Sequence, residues 1–272
     1  MGLILGLDIG GSTTKVVGFE DGKILESVIV KASDPLASAF AGLGRFLESS
    51  GRKLSNIEKI MATGVGASYL GGDLLDKTTI LVDEFVSVGL GGVFLSGISD
   101  AIVVSMGTGT SMVEARGAVV RHIIGSGVGG GTLLGLADRL INVTDFDMID
   151  QLSQKGQLEK VDLTVGDLTQ IEIAGLTPST TASNFGKLMG LSEPEDIAAG
   201  IVNLVFQSVG TAAVLAARLC QLRTIVVTGN LTRMSVGRQI FDAFSDLYGV
   251  NFLIPERAEY ATAAGAALQA WK

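Results

Sequence analysis

Two short stretches carry residue types suited to phosphate chemistry. DIGGSTTK (residues 8–15) ends the apolar run LILGL with a carboxylate, two glycines, three hydroxyl side chains and a lysine. SMGTGTSM (105–112) ends the apolar run AIVV in a similar way. A glycine-rich turn lets backbone N–H groups approach a polyphosphate closely, and Ser and Thr hydroxyls add donors. Asp8 is a carboxylate suited to Mg²⁺, usually through water, with Lys15 as countercharge. Ser105 stands where Asp8 stands in the first turn, so the copies are not chemically equivalent. A lone turn of this kind is more often an ordinary hairpin. Two in matched contexts shift the reading toward phosphate binding.

The elements that must hold these turns also repeat. LILGL (3–7) reads as a buried strand and KVVGF (15–19) as its return partner. EDGK (20–23) carries an Asp-Gly hairpin signal, with ILESVIV as a third strand. In the second copy, AIVVS (101–105) is followed by the Gly/Thr turn and by SMVEA. An Arg-Gly turn and a third strand, AVVRHII, complete it. This repeated order implies a duplicated core, with PLASAFAGLGRFLESSG (35–51) as the clearest intervening helix. Two such units facing each other put both turns into one cleft.

Three further stretches bear on that cleft. TILVDEFVSVGLGG (79–92) ends an apolar run with the adjacent carboxylates Asp83 and Glu84, then continues as a helix. RHIIGSGVGGGTLLGLADRL (121–140) is a strand, a glycine-rich loop and an amphipathic helix whose N-terminus suits a polar or anionic ligand. RTIVVTGNLTRMS (223–235) is a buried strand ending in Thr-Gly-Asn, where backbone can pack against a flat base or sugar.

The two turns resemble the phosphate loops of the actin-like ATPase superfamily, which includes acetate and sugar kinases, Hsp70 and actin. With VDE, GTGTS, GVGGGTLLGL, ASNFG (182–186), VVTGN and ATAAGAAL (261–268) in order, the whole chain resembles the type II, eukaryotic-like pantothenate kinases. That resemblance implies an α/β fold, a duplicated actin-like (ribonuclease H-like) ATPase with two lobes around a nucleotide cleft. Each lobe would hold a five-stranded mixed sheet. The first lobe would cover residues 1–97 and the second 98–272, with the last helix returning to the first lobe's interface.

The resemblance also implies the site. Glu84 would be the general base, because a primary alcohol is a poor nucleophile near neutral pH and a placed carboxylate can take its proton. Asp8, Gly10, Gly11, Ser12, Thr13, Thr14 and Lys15 would contact ATP phosphates and Mg²⁺, with Asp8 on the metal. Thr108 and Gly109 would form the second phosphate turn. Gly130, Gly131, Thr132, Leu133 and Leu134 would support the nucleotide, with Gly229 and Asn230 near adenosine. Phe146 matches a position where some members present an aromatic ring to the nucleotide; core packing is the competing role. The family arginine before the triple glycine falls on His122 by counting, with Arg121 one residue earlier. On a strand that offset reverses the face, so either residue can hold substrate, alongside Gly125. The implied reaction is ATP-dependent phosphorylation of pantothenate in a cytoplasmic homodimer, with the ASNFGKLMG segment supplying an apolar wall from a partner.

Composition supports a globular, soluble protein. The 272 residues are 47% hydrophobic and 18% charged, enough for a large core. A net charge of −8 argues against nucleic acid and against an anionic membrane surface. The opening MGLILGLDIG lacks a basic region and its apolar run is short for a signal or a membrane span. The single cysteine, Cys220, reads as a buried small hydrophobe in a reducing compartment. Three rival readings stand beside the first. One is a related kinase acting on an amino sugar or another alcohol. Another is an ATP-binding regulator without turnover. The third is an activator of 2-hydroxyacyl-CoA dehydratases, which also opens with GSTTK; its bridging iron–sulfur cluster needs paired cysteines that one Cys220 per chain does not supply.

Overall fold

The computed structural model describes residues 2–31, 34–171, 173, 175–187 and 192–271. Its first sheet is built on β1 (Leu3–Ile9), whose seven residues are all buried. A strand apolar on both faces must lie between neighbours on each side. Beside it run β2 (Thr13–Glu20) and β3 (Lys23–Lys31), both antiparallel, and β4 (Ile57–Thr63) and β5 (Thr79–Leu81), both parallel. The order is β3-β2-β1-β4-β5. Asp21 and Gly22 take φ values of 50° and 76°, the two left-handed positions the EDGK signal requires. Helix α1 (Pro35–Ser50) starts where the Asp34 carboxylate accepts the Ala37 N–H and stops at Gly51. It covers one face of this sheet through Ala39, Leu43 and Phe46.

The second sheet repeats the plan with β6 (Asp100–Met106), β7 (Thr110–Arg116), β8 (Val119–Ser126), β11 (Thr224–Thr228) and β12 (Asn251–Leu253) in the order β12-β11-β6-β7-β8. Matched strands occupy matched places, so the duplicated mixed α/β architecture expected from the repeated motifs is present. The connection from β8 to β11 is long. It holds α3 (Gly130–Ile141), α4 (Phe146–Ser153), a two-stranded ribbon of β9 (Leu163–Thr164) and β10 (Thr181–Ser183), α5 (Val165–Leu168) and α6 (Pro194–Leu219). Helix α6 is long and apolar enough to cross a membrane, but 67% of its most apolar window is buried inside the protein, as expected of a core helix. Within this connection the buried Asp162 accepts from Asn203 Nδ2 at 2.7 Å and from the Phe185 N–H at 2.8 Å. Those bonds hold the ASNFG segment; Leu188, Met189 and Gly190, which follow it, lie outside the described residues.

Two helices are exchanged between the halves. Helix α2 (Glu84–Ser96) follows the first sheet's last strand but packs on the second, where Val88 joins Ala101, Val103, Val113 and Ala115. Helix α8 (Ala261–Leu268) comes after α7 (Ser235–Tyr248) and β12, and packs on the first sheet against Ile4, Val17, Phe19 and Met61. The last helix therefore sits at the first lobe, where the sequence puts it. α2 and α8 cross backbone to backbone. A methyl on Gly91 would overlap the Ala261 carbonyl, and one on Gly265 would overlap the Ser87 carbonyl.

Candidate active site

Both turns open into one cavity of about 480 Å³. In the first turn, Gly10 N–H donates to Thr13 O at 3.0 Å, closing a loop between paired Ile9 and Thr14. One step below, Asp8 faces Lys15 across the strand pair, and Lys15 Nζ lies 3.2 Å from Asp8 Oδ2. Both are buried, at 8% and 6% exposure, so the carboxylate's charge is held at the cavity floor rather than in bulk water. Gly64, just past β4, has φ of 90°, and a Cβ there would lie 2.8 Å from Asp8 Oδ1. Only glycine leaves room for that carboxylate. Gly10, Gly11, Ser12, Thr13 and Lys15 line the cavity with Asp8. Thr14 does not: it is fully buried behind the turn, its hydroxyl 2.7 Å from that of Ser38.

In the second turn, Gly107 N–H donates to Gly109 O at 2.9 Å, and Thr108 Oγ1 lies 3.1 Å from Ser12 Oγ. The two turns thus meet through hydroxyls across the cleft. The start of α3 lies under this turn, and its chemistry differs from the free helix terminus that the sequence suggests. Gly130 N–H donates to Gly107 O and Gly131 N–H to Thr108 O, both at 2.8 Å. Those donors are already used, so the triple glycine braces the second turn instead of offering its own N–H groups. Gly129 fits because a side chain there would strike the Gly109 backbone at 2.8 Å. Thr132 Oγ1 donates to Gly127 O at 2.9 Å, and Leu133 is fully buried in the core. Thr132 and Leu133 therefore act behind the cavity wall, while Gly130 and Leu134 lie on it.

At the far end Gly229, with φ of 93°, follows β11 and presses against the Met106 backbone. Asn230 lines the cavity beside it, and its Oδ1 is buried without a hydrogen-bond partner among the described residues. Phe146 packs against the second core and also lines the cavity, with the Arg233 guanidinium 5.6 Å from its ring centre.

Glu84 opens α2 on the opposite wall. The Asp83 carboxylate caps the helix by accepting from Val86 N–H at 2.8 Å, which turns Glu84, and not Asp83, into the cavity. Burial raises the Glu84 pKa above its ordinary 4.5, and the charges of Asp8 and Asp83 push it the same way against the opposing pull of Lys15. A carboxylate raised in this manner is a better proton acceptor.

The strand faces settle where Arg121 and His122 point. Glu114 pairs with Arg121 across the β7–β8 ladder, and Val113 with His122. Arg121 lies on the outer face in an ion pair with Glu114 at 2.6 Å, its side chain 65% exposed. It does not reach the cavity. His122 lies on the face toward α2 and lines the cavity. A bulge follows it, leaving Ile123 unpaired, so that Gly125, three residues on, also faces the cavity. Reading motifs missed Phe85, Ser111 and Ser126, which line the same wall. For Ser111 the signal was present, because it faces Ser105 across the second turn as Lys15 faces Asp8 across the first.

A family model described as Fumble matches residues 96–248, more than half of the chain. The chain belongs to the Fumble family. This bears out the resemblance to type II pantothenate kinases and makes the chain a kinase by descent. The type II pantothenate kinase of Oceanobacillus iheyensis is 28% identical, covering 97% of this chain and 98% of its own length. That of Staphylococcus aureus is 25% identical over 96% of this chain and 97% of its own. Pantothenate kinase 1 of Oryza sativa is 41% identical over 47% of this chain, but the match spans only 20% of the rice protein. Among solved structures, component A of the (R)-2-hydroxyglutaryl-CoA dehydratase from Acidaminococcus fermentans aligns with a TM-score of 0.73 at 19% identity, covering 99% of this Fumble-family chain and 97% of its own. A ROK family glucokinase from Streptomyces griseus aligns at 0.62 and 14%, covering 98% and 99%. At these identities the likeness is one of fold.

Proposed function

We propose that this chain transfers the γ-phosphoryl group of ATP to the terminal hydroxyl of pantothenate, giving 4'-phosphopantothenate, the first step toward coenzyme A. The observation carrying this reading is that Glu84, with its raised pKa, shares one cavity with both glycine-rich turns in a chain of the Fumble family. The family relatives supply the substrate, and the cavity supplies the chemistry.

In this reading the first turn and Thr108–Gly109 hold the phosphates from two sides. Lys15 meets the transferred group's charge, and Gly229 and Asn230 border the adenosine. Glu84 takes the proton from the acceptor hydroxyl as that oxygen bonds to the γ-phosphorus and the bond to the β-phosphate oxygen breaks, releasing ADP. Mg²⁺ fits the floor of the cavity in the way it usually binds nucleotides. The described residues contain no cluster of three or more candidate ligands, and Asp8 offers a single buried carboxylate. Such a site takes Mg²⁺ through one carboxylate, water and phosphate oxygens. When bound, the ion supplies charge neutralisation between the phosphates. The same reading makes the protein a cytoplasmic homodimer, with residues 1–97 and 98–272 as its lobes apart from the exchanged helices α2 and α8.

The test is incubation of purified protein with Mg-ATP and pantothenate, with phosphopantothenate read by mass spectrometry and Glu84→Gln run alongside. Product from wild type and almost none from the variant supports substrate and base together. Retained ATP binding with no product from wild type overturns pantothenate as the acceptor and turns the search to another alcohol.

A further inference from the structure

We propose that Phe85 and His122 work as one stacked unit, a clamp that fixes the acceptor beside Glu84; this rests on the phosphotransfer reading above. Their rings lie 4.1 Å apart between centroids and 30° from parallel. Both line the cavity, and Phe85 directly follows Glu84. Phe85 is 38% exposed and His122 is exposed as well, so the stack buries little surface for folding. Among the described residues no protein group hydrogen-bonds the imidazole, leaving its ring nitrogens to a ligand.

The pair is positioned by packing outside the cavity. Gly89 sits one turn beyond Phe85 on the same side of α2, and Val120 sits two residues before His122 on the same face of β8. A Cβ on Gly89 would come within 2.5 Å of Val120 Cγ2. This close approach of helix and strand sets the ring spacing one turn away. Arg121 is engaged by Glu114 on the other face, so beside Phe85 the polar ring that β8 offers to the cavity is His122, with the Ser126 hydroxyl at the strand's far end.

The chemical fit is to a small alcohol with an apolar branched stem and a nearby oxygen. Pantothenate carries two methyl groups on the carbon next to its reacting CH₂OH, then a second hydroxyl and an amide carbonyl. Phe85 packs against the methyl groups, and an imidazole nitrogen bonds the neighbouring oxygen. The clamp acts on acceptor binding and leaves the ATP subsites alone.

The experiment uses the full chain and exploits its single histidine, which gives one imidazole Hε1 resonance. Wild type, Phe85→Leu, Phe85→Tyr and His122→Asn are titrated with pantothenate in the presence of β,γ-imido ATP, alongside steady-state kinetics. The expected results are an upfield ring-current shift of Hε1 in wild type and Phe85→Tyr, lost in Phe85→Leu, and movement of that signal on adding pantothenate. For Phe85→Leu and His122→Asn, pantothenate KM rises about tenfold or more while kcat falls less than about threefold and the ATP KM is unchanged. Unchanged pantothenate KM in both variants, or an equal rise in ATP KM, overturns the clamp. So does an Hε1 signal that ignores pantothenate. If wild type fails to phosphorylate pantothenate while Hε1 still responds to it, the stacked pair stands as a binding contact and pantothenate falls as the acceptor.

Discussion

The two lobes present the same turn with different chemistry. In each, the central strand ends in a glycine-rich loop, and the residues flanking it face each other across an antiparallel pair. In the first lobe those residues are Asp8 and Lys15; in the second they are Ser105 and Ser111. The supports are matched too. Gly64 and Gly229 follow equivalent strands with φ of 90° and 93°, although the preceding threonines donate to opposite sides, Thr63 to Val82 O beyond the fifth strand and Thr228 to Val104 O on the central strand. The helices after the fifth strands diverge, one opening with Asp83 and Glu84, the other with Tyr260 and Ala261. Duplication therefore built the cradle twice and the buried Asp–Lys pair once, while Glu259, just before Tyr260, is the second half's own carboxylate at the cavity. In the proposed reaction the phosphate chain takes donors from both sides, whereas the proton and the metal would each need a single carboxylate.

Converting the first turn into the second tests this most severely. Asp8→Ser leaves Lys15 buried and unpaired, which costs about 3–5 kcal/mol in denaturant unfolding and abolishes turnover. Adding Lys15→Ser recreates the second lobe's hydroxyl pair, so stability returns and turnover does not. Recovery of turnover in the double variant would show that the charge asymmetry is incidental. Glu84→Gln removes the proposed base and lowers kcat by about 10²–10⁴, with the unfolding midpoint unchanged or raised, because burial and the charges of Asp8 and Asp83 disfavour the ionised carboxylate.

Gly64→Ala and Gly229→Ala probe what the lobes share. Each places a methyl against backbone at a left-handed φ, and each lowers stability by about 1–3 kcal/mol by thermal or denaturant unfolding. A clear inequality between them would break the structural equivalence. The smallest effect is on pH. In the proposed reaction Glu84 takes the proton only when ionised, so kcat/KM is expected to fall as pH drops through its raised pKa, at higher pH than for an ordinary glutamate. Asp83→Asn keeps the helix cap and removes one of the charges that raise it. The acid limb of the profile then moves to lower pH, by less than about one unit.

The strands, hairpins and duplicated sheets were legible because their signals are local: LILGL is apolar throughout, and Asp21–Gly22 dictates its own turn. Face assignments were less legible. Counting from the triple glycine left Arg121 and His122 open, since the bulge at Ile123 and the pull of Glu114 come from the neighbouring strand. The partners of the Gly130 and Gly131 N–H groups were illegible for a similar reason. A glycine-rich helix start suits a ligand or a backbone equally, and here the carbonyls of Gly107 and Thr108 arrive first. Phe85 was invisible as a site residue because one aromatic after a carboxylate has no pattern of its own. Only Val120 against Gly89 makes it a neighbour of His122.

The exchange of α2 and α8 also bears on how the chain is made. During synthesis the second sheet finds its covering helix, α2, already outside the ribosome. The first sheet, though its strands emerge first, keeps one apolar face bare until residues 261–268 appear, after every strand of both sheets. N-terminal order in translation is thus not N-terminal order in completion. Nascent chains arrested before α8 would carry Ile4, Val17, Phe19 and Met61 uncovered, and would be the species most in need of a chaperone.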